Sequence, residues 1–205
     1  MNKIIKNTLI LAAITVVSGL VLGAAYEVTK GPIAQTQAKQ KQEACQAVYP
    51  EADSFEAMDV DQKAAKEAIK KMGTNATVDE VYSAVMDGSE AGYVITVTDK
   101  DGYGGDIKFT VGISTDGKVL GVSFLSISET AGLGMRAKQD PSFTSQFTAK
   151  SDAVASFSVV TDGSASESNA NVDAIGGSTV TSKAITKGVN AALAVYAAKH
   201  VKEQY

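Results

Sequence analysis

Hydroxyl side chains crowd one short stretch of the chain. Residues 172–182 read VDAIGGSTVTS, and the following KAITKGVNAALAVYAAK carries its apolar residues at helical spacing. Ser178, Thr179, Thr181 and Ser182 therefore stand at a helix start, where backbone N–H groups lack intrahelical partners and the macrodipole is positive. Such an end suits a phosphate. An N-cap formed by Ser178 or Thr179 accounts for the same residues, and spacing alone leaves both readings open.

Two other loops have a composition that suits a ligand. In SETAGLGMR (128–136), Gly132 and Gly134 flank Leu133 beside Glu129 and Thr130, so the backbone can come close to a flat molecule, although a strand-to-helix connection uses glycine in any case. DGYGGD (101–106) reads as a hairpin loop: it is not G-x-G-x-x-G, and it precedes a strand where a dinucleotide fingerprint precedes a helix. Nucleophilic hydrolysis by these hydroxyls is excluded, because a base is needed nearby and the sole histidine, His200, lies about five turns along the same helix. Cys45 is the only cysteine, which rules out an internal disulfide, a Cys-x-x-Cys metal motif and an iron–sulfur cluster held by this chain alone. Redox chemistry here would need an organic cofactor, and Cys45 itself is expected to pack where a helix meets the domain.

The elements that must position these residues begin with an apolar run. Residues 7–26 carry no charge, and a helix of that length matches the hydrocarbon core of about 30 Å. Lys3 and Lys6 precede the run and Glu27 follows it, so the positive-inside rule puts residues 1–6 in the cytoplasm and the remainder outside, anchored in the cell membrane by a single pass through its lipid. A cleaved signal peptide, with Gly23, Ala24 and Ala25 near its end, is the competing reading. Residues 27–50 predict a helical stalk stopped near Pro50, and residues 51–205 the extracytoplasmic domain. The formal charge of −4 is spread without a basic block, which argues against nucleic acid as a partner.

Within the domain, residues 62–72 predict a helix, 78–86 and 92–99 strands, and Ile107, Phe109, Val111 and Ile113 the inward face of a half-buried strand. Thr115-Asp116-Gly117-Lys118 turns the chain into a partner strand, 119–128, with Leu120, Val122 and Phe124 on one face. FSVV (157–160) is a short strand candidate beside an exposed polar loop. The closing helix presents Ala184, Ile185, Gly188, Val189, Ala192, Leu193 and Tyr196 to the core and Lys183, Lys187 and Asn190 away from it. The order of elements predicts an α+β domain, an antiparallel sheet packed with helices.

Anchor, stalk, VYPEA (48–52), GYGG, ETAGLG and VDAIGGSTVTSKAI, in that order, resemble the FMN-binding domain family found in the G subunit of the Rnf ion-translocating electron transport complex. The C subunit of the sodium-pumping NADH:quinone reductase is related, and the length here is closer to that of the Rnf protein. The resemblance implies FMN esterified through its phosphate to Thr179, with Asp173, Gly177 and Thr179 read by a flavin transferase. Gly176 stands where the family has Ser or Thr, Ser178 where it has Ala, and Ala131 where it has Pro. It further implies that Glu129, Thr130, Gly132, Leu133 and Gly134 line the flavin, that Gly177, Ser178, Thr181 and Ser182 lie at its phosphate, and that electrons pass between other membrane subunits of a ferredoxin:NAD+ oxidoreductase. The alternatives are the quinone reductase as context and a cofactor-free, membrane-anchored interaction domain.

Overall fold

The computed structural model describes residues 3–203, with the side chains of residues 200–203 outside the described residues. Helix α1 (Lys3–Val48) runs without a break from the apolar run through the stalk. It is long and apolar enough to cross a membrane, and its Leu9, Leu11, Leu20 and Leu22 side chains are all more than half exposed. Contacts divide the chain into compact units of residues 1–42 and 43–205. The last turns of α1, which the sequence assigns to the stalk, therefore belong to the folded domain.

The domain is built on an antiparallel meander, β1 (Ser54–Met58), β2 (Thr77–Met86), β3 (Ser89–Asp99), β4 (Ile107–Ser114) and β5 (Val119–Ser126), in spatial order β1-β2-β3-β4-β5. The expected α+β class is thus observed. Strand β1 carries no alternating pattern and was not expected. Asp87 and Gly88, both with positive φ (52° and 74°), form the tight turn between β2 and β3. Helix α2 (Gln62–Lys71) starts where expected because the Asp61 carboxylate accepts from the N–H groups of Lys63 and Ala64 at 3.0 Å.

One face of the sheet, carrying Tyr93, Ile95, Val97, Phe109 and Val111, packs on α2 and on α5 (Thr179–Glu203). Helix α5 is buried beyond a single stripe. Asn190, expected toward solvent, clasps the backbone of Phe157 instead, its Oδ1 accepting from Phe157 N–H at 2.7 Å and its Nδ2 donating to Phe157 C=O at 2.9 Å. Leu120 departs from the expected face too: a register shift leaves Ile113 opposite Val119 and Gly112 opposite Gly121, so Leu120 is the extra residue of a bulge and is exposed.

The opposite face of β4 is not the solvent face that strict alternation suggests. Val48 of α1 settles into a trough floored by glycines: a Cβ on Gly112 would lie 2.3 Å from the Val48 carbonyl oxygen, and one on Gly121 2.8 Å from its Cα. Cys45, Val48, Tyr49 and Ala52 bury themselves there with Ala84 and Val94, and the Tyr49 hydroxyl donates to Ala91 C=O at 2.7 Å. Cys45 packs where expected. The remaining elements are the short helices α3 (Arg136–Gln139) and α4 (Ser145–Thr148) and a parallel pair, β6 (Ser158–Val160) with β7 (Asn171–Asp173).

Replacing Gly112 with valine puts side-chain atoms where the Val48 backbone lies. Overpacking of this kind costs about 1–3 kcal/mol. The denaturation midpoint of Gly112→Val should fall accordingly, whereas Gly73→Ala, at a position with open space, should lose only the cost of its left-handed φ of 66°.

Candidate functional site

Antiparallel pairing brings the β3–β4 loop and the exit of β5 to the same end of the sheet, and the start of α5 joins them there. The three segments enclose a cleft of about 530 Å³. Tyr103 comes from the first segment, Glu129, Thr130, Leu133 and Gly134 from the second, and residues 177–181 from the third. The three stretches with chemical potential in the sequence thus form one site. Gly132 and Ser182 do not line it: Gly132 (φ 75°) shapes the turn beside it, and Ser182 lies fully buried behind it.

Glu129 joins all three segments. Its carboxylate is buried, with Oε1 accepting from Gly104 N–H at 3.2 Å and Oε2 from the Thr181 hydroxyl at 3.0 Å. Gly134 must remain glycine for these bonds to form, since a Cβ there would lie 2.7 Å from both Glu129 Oε2 and Thr181 Oγ1. The 130–135 turn is closed by Leu133 N–H and Met135 N–H, both donating to Thr130 C=O.

At the head of α5, neither Ser178 nor Thr179 caps the helix, which corrects the capping alternative. Ser182 reaches back instead: its Oγ accepts from Ile175 N–H at 3.0 Å and donates to Ser178 C=O at 2.9 Å, folding the chain through Gly177 (φ 75°). Ser182 N–H makes the first backbone bond, to Ser178 C=O, so the amides of Thr179, Val180 and Thr181 precede the helical ladder. Thr181 has its hydroxyl committed to Glu129. Thr179 is half-buried on the cleft and makes no hydrogen bond through its hydroxyl among the described residues.

Asp173 lies outside the cleft lining, at the end of β7. Gln146 holds it there as a neighbouring strand would, accepting from Asp173 N–H at 2.7 Å and donating to Asp173 C=O at 3.1 Å. Lys150 adds bonds to the carbonyls of Asn171 and Ser166, and burial pushes its ammonium below the ordinary lysine value. The polar 161–170 loop is largely exposed, as expected, and is tied at its edge by these bonds.

The β3–β4 loop is anchored by charge. Lys187, expected to face solvent, pairs with Asp101 at 2.8 Å, and Asn75 donates to the same carboxylate. The hydrogen bond from Lys187 and then that from Asn75 hold the Asp101 carboxyl below its usual value, while Asp101 raises the Lys187 ammonium. Neighbouring Asp99 is fully buried, and its carboxyl is pushed up by that burial even though it accepts from Asp101 N–H. Gln146, Lys150, Asp101, Lys187 and Tyr103 were not identified from sequence. Only Tyr103, an aromatic residue between glycines and 75% exposed, carried a local signal.

Among the described residues, no cluster of His, Cys, Asp and Glu is arranged to hold a metal ion. The FMN-binding domain model matches residues 102–194, which takes in all three cleft segments, and the RnfG N-terminal region model matches residues 1–48. The G subunit of the Na+-translocating ferredoxin:NAD+ oxidoreductase complex of Acetobacterium woodii is 35% identical over 94% of this chain and 91% of its own length. The chain belongs to the RnfG family. A second RnfG relative, from the proton-translocating ferredoxin:NAD+ oxidoreductase complex of Clostridium ljungdahlii, is 34% identical over 94% of this chain and 91% of its own. The corresponding RnfG protein of the ion-translocating oxidoreductase complex of Vibrio cholerae is 35% identical over 65% of this chain and 63% of its own. RnfG relatives named for sodium and for protons are thus about equally similar to this chain.

The anchoring pair sets a pH dependence. Asp101 has a folded value below its unfolded one of about 3.9, so its contribution is complete above that pH and is lost as pH falls through the lower folded value. Exposure limits a pair of this kind to about 0.2–1 kcal/mol. Asp101→Asn should therefore be less stable than wild type by that amount at pH 7, and the difference should shrink as the pH of denaturant titrations is lowered below about 3.9.

Proposed function

We propose that this chain is an electron-transfer subunit of a membrane-bound ferredoxin:NAD+ oxidoreductase that translocates ions, and that it holds FMN through a phosphoester to Thr179 Oγ1. The observation that carries the attachment is the inequality of the four hydroxyls at the head of α5. Ser178, Thr181 and Ser182 are 6%, 2% and 0% exposed. Thr181 and Ser182 have their hydroxyls committed to hydrogen bonds, Ser178 Oγ is buried without a partner, and Thr179 is the half-buried one of the four, on the cleft with its hydroxyl making no hydrogen bond among the described residues.

The residues present fit the group. The cleft volume of about 530 Å³ lies in the range for cofactor sites, about 300–1,000 Å³. Tyr103, Leu133 and Val180 give it an exposed apolar rim suited to a flat ring system, and the first amides of α5 offer donors to a phosphate. Bound flavin supplies transfer of one or two electrons. The chain's own part would be to hold it: Thr179 Oγ1 would be the ester oxygen, replacing at phosphorus a leaving group that departs with the flavin transferase's donor while the hydroxyl proton passes to the transferase, and Gly134 and Gly177 leave the cleft open. Glu129 fixes the walls against each other. A tether of this kind keeps the cofactor on a protein that cannot draw on a cytoplasmic pool.

Asp173 and Gly177, with Thr179, are the residues we assign to recognition by a flavin transferase. The remaining membrane subunits are the electron donors and acceptors. Residues 7–26 are the membrane span, residues 1–6 face the cytoplasm, and the domain lies outside.

Chain co-expressed with a flavin transferase should gain the mass of a flavin phosphate on the peptide containing Thr179 and fluoresce on a denaturing gel. Thr179→Ala should show neither, and a variant that keeps bound flavin under denaturation would overturn the assignment. Orientation has a separate test, which exploits the burial of Cys45, the only native cysteine (3% exposed). A Ser166→Cys variant in intact cells should react with an impermeant maleimide, and labelling that requires permeabilisation would reverse the topology.

A further inference from the structure

Strand β1 forms one edge of the sheet and, among the described residues, pairs only with β2, in an unbroken antiparallel register from Ser54 opposite Val85 to Met58 opposite Val81. Phe55 packs on the side that receives the end of α1, and Met58 on the side covered by α2 and α5, so both faces of the strand are used. Its outer edge is not. Among the described residues, no group outside β2 hydrogen-bonds to the backbone of residues 54–58. The opposite edge, β5, is blunted by the bulge at Leu120, whereas β1 is regular and offers its outward N–H and C=O groups to an added strand.

Two features of this edge indicate what it would accept. Residues 51–61 contain Glu51, Asp53, Glu56, Asp59 and Asp61, all exposed, and no basic residue. Like charges oppose the pairing of this edge with a second copy of itself, and they repel an anionic lipid surface, whereas Lys or Arg on an incoming segment is attracted. Where β1 ends, Met58 and Val60 line a cavity of about 190 Å³ together with Ala64 of α2, Tyr93 of β3 and Lys199 of α5. An apolar cavity of about 150 Å³ holds a benzene ring, so this one has room for a single aliphatic or aromatic side chain. The Lys199 ammonium is matched within the domain, 3.9 Å from the centre of the Tyr93 ring and 3.6 Å from Glu90. Side chains of a strand laid beside Met58 alternate between the two faces, and those on the α2 side meet this cavity.

We propose that β1 is a docking edge, at which an extended basic segment of a partner protein pairs as an added strand and places one apolar side chain in the cavity beside Met58 and Val60. Main-chain hydrogen bonds supply the affinity of such a union, and the cavity and the acids supply its selectivity. The cavity shares no lining residue with the cleft, so the proposal does not depend on what the cleft holds.

The test uses the full chain in its assembled membrane complex, with the photocrosslinker benzoylphenylalanine replacing the exposed Ala57 of β1. Illumination should join it to another protein at a segment containing Lys or Arg, identified by mass spectrometry of the joined peptides. Glu56 and Asp59 are exposed and make no hydrogen bond among the described residues, so their reversal spares the fold. The yield should fall about tenfold in Glu56→Lys/Asp59→Lys, and likewise in Ala64→Phe, which fills the cavity. Amide hydrogen exchange reads the backbone pairing without a variant: residues 54–58 should exchange about tenfold more slowly in the complex than in the isolated chain. Equal exchange in the two states overturns the inference, as does a yield unchanged by the charge reversal. Crosslinking only to lipid, to a second copy of this chain or to an acidic segment overturns it too, as does no crosslinking at all.

Discussion

A buried carboxylate bonded only to neutral donors holds the cleft together. Glu129 takes one hydrogen from the β3–β4 loop and one from α5, while its own backbone begins the turn that follows β5. Withdrawing either donor would leave a buried charge less well satisfied, which is expensive in a region shielded from water. The three segments are therefore held mutually, and glycines at 104 and 134 follow from the same bonds. A Cβ on Gly104 would lie 2.1 Å from the Ser128 carbonyl oxygen, so the loop could not come close enough to donate.

Support for the segment leading into α5 comes from side-chain amides that imitate backbone. Strands β6 and β7 have three residues each, too short to be secure alone. Gln146 closes one side of β7 at Asp173, and Asn190 of α5 grips Phe157, the residue before β6. The chain leading to Thr179 is thereby fixed to the same core as the helix that follows it. Such a rigid mounting suits a cofactor whose position relative to its electron partners must stay constant.

On the far face of the sheet, the end of α1 is received by a floor of glycines, a much closer approach than side chains would allow. This contact also explains why β4 is buried on both faces. Alternation in its sequence shows which residues meet α5, but it contains no sign of a helix packed over Gly112. Glycine in a strand reads as weakness until the partner is seen.

Much of the design was legible beforehand because it rests on local periodicity. The uncharged run, the β4–β5 hairpin with its Gly117 turn, and the apolar stripe of α5 are consequences of spacing, and each places its residues whatever the rest of the chain does. The ordered loops suggested the family. What escaped were features that depend on residues distant in sequence: Leu120 displaced by a bulge, Asn190 and Gln146 turned inward as clasps, Lys187 paired with Asp101. The four hydroxyls at the head of α5 mark the boundary between the two kinds of information. By itself the sequence determined that they would gather at a helix start, since helical periodicity begins there. Only tertiary structure decided their roles, because exposure and hydrogen bonding depend on what packs around them. Glu129, distant in sequence, claims Thr181, the bend at Gly177 draws Ser182 inward, and Thr179 remains open to the cleft.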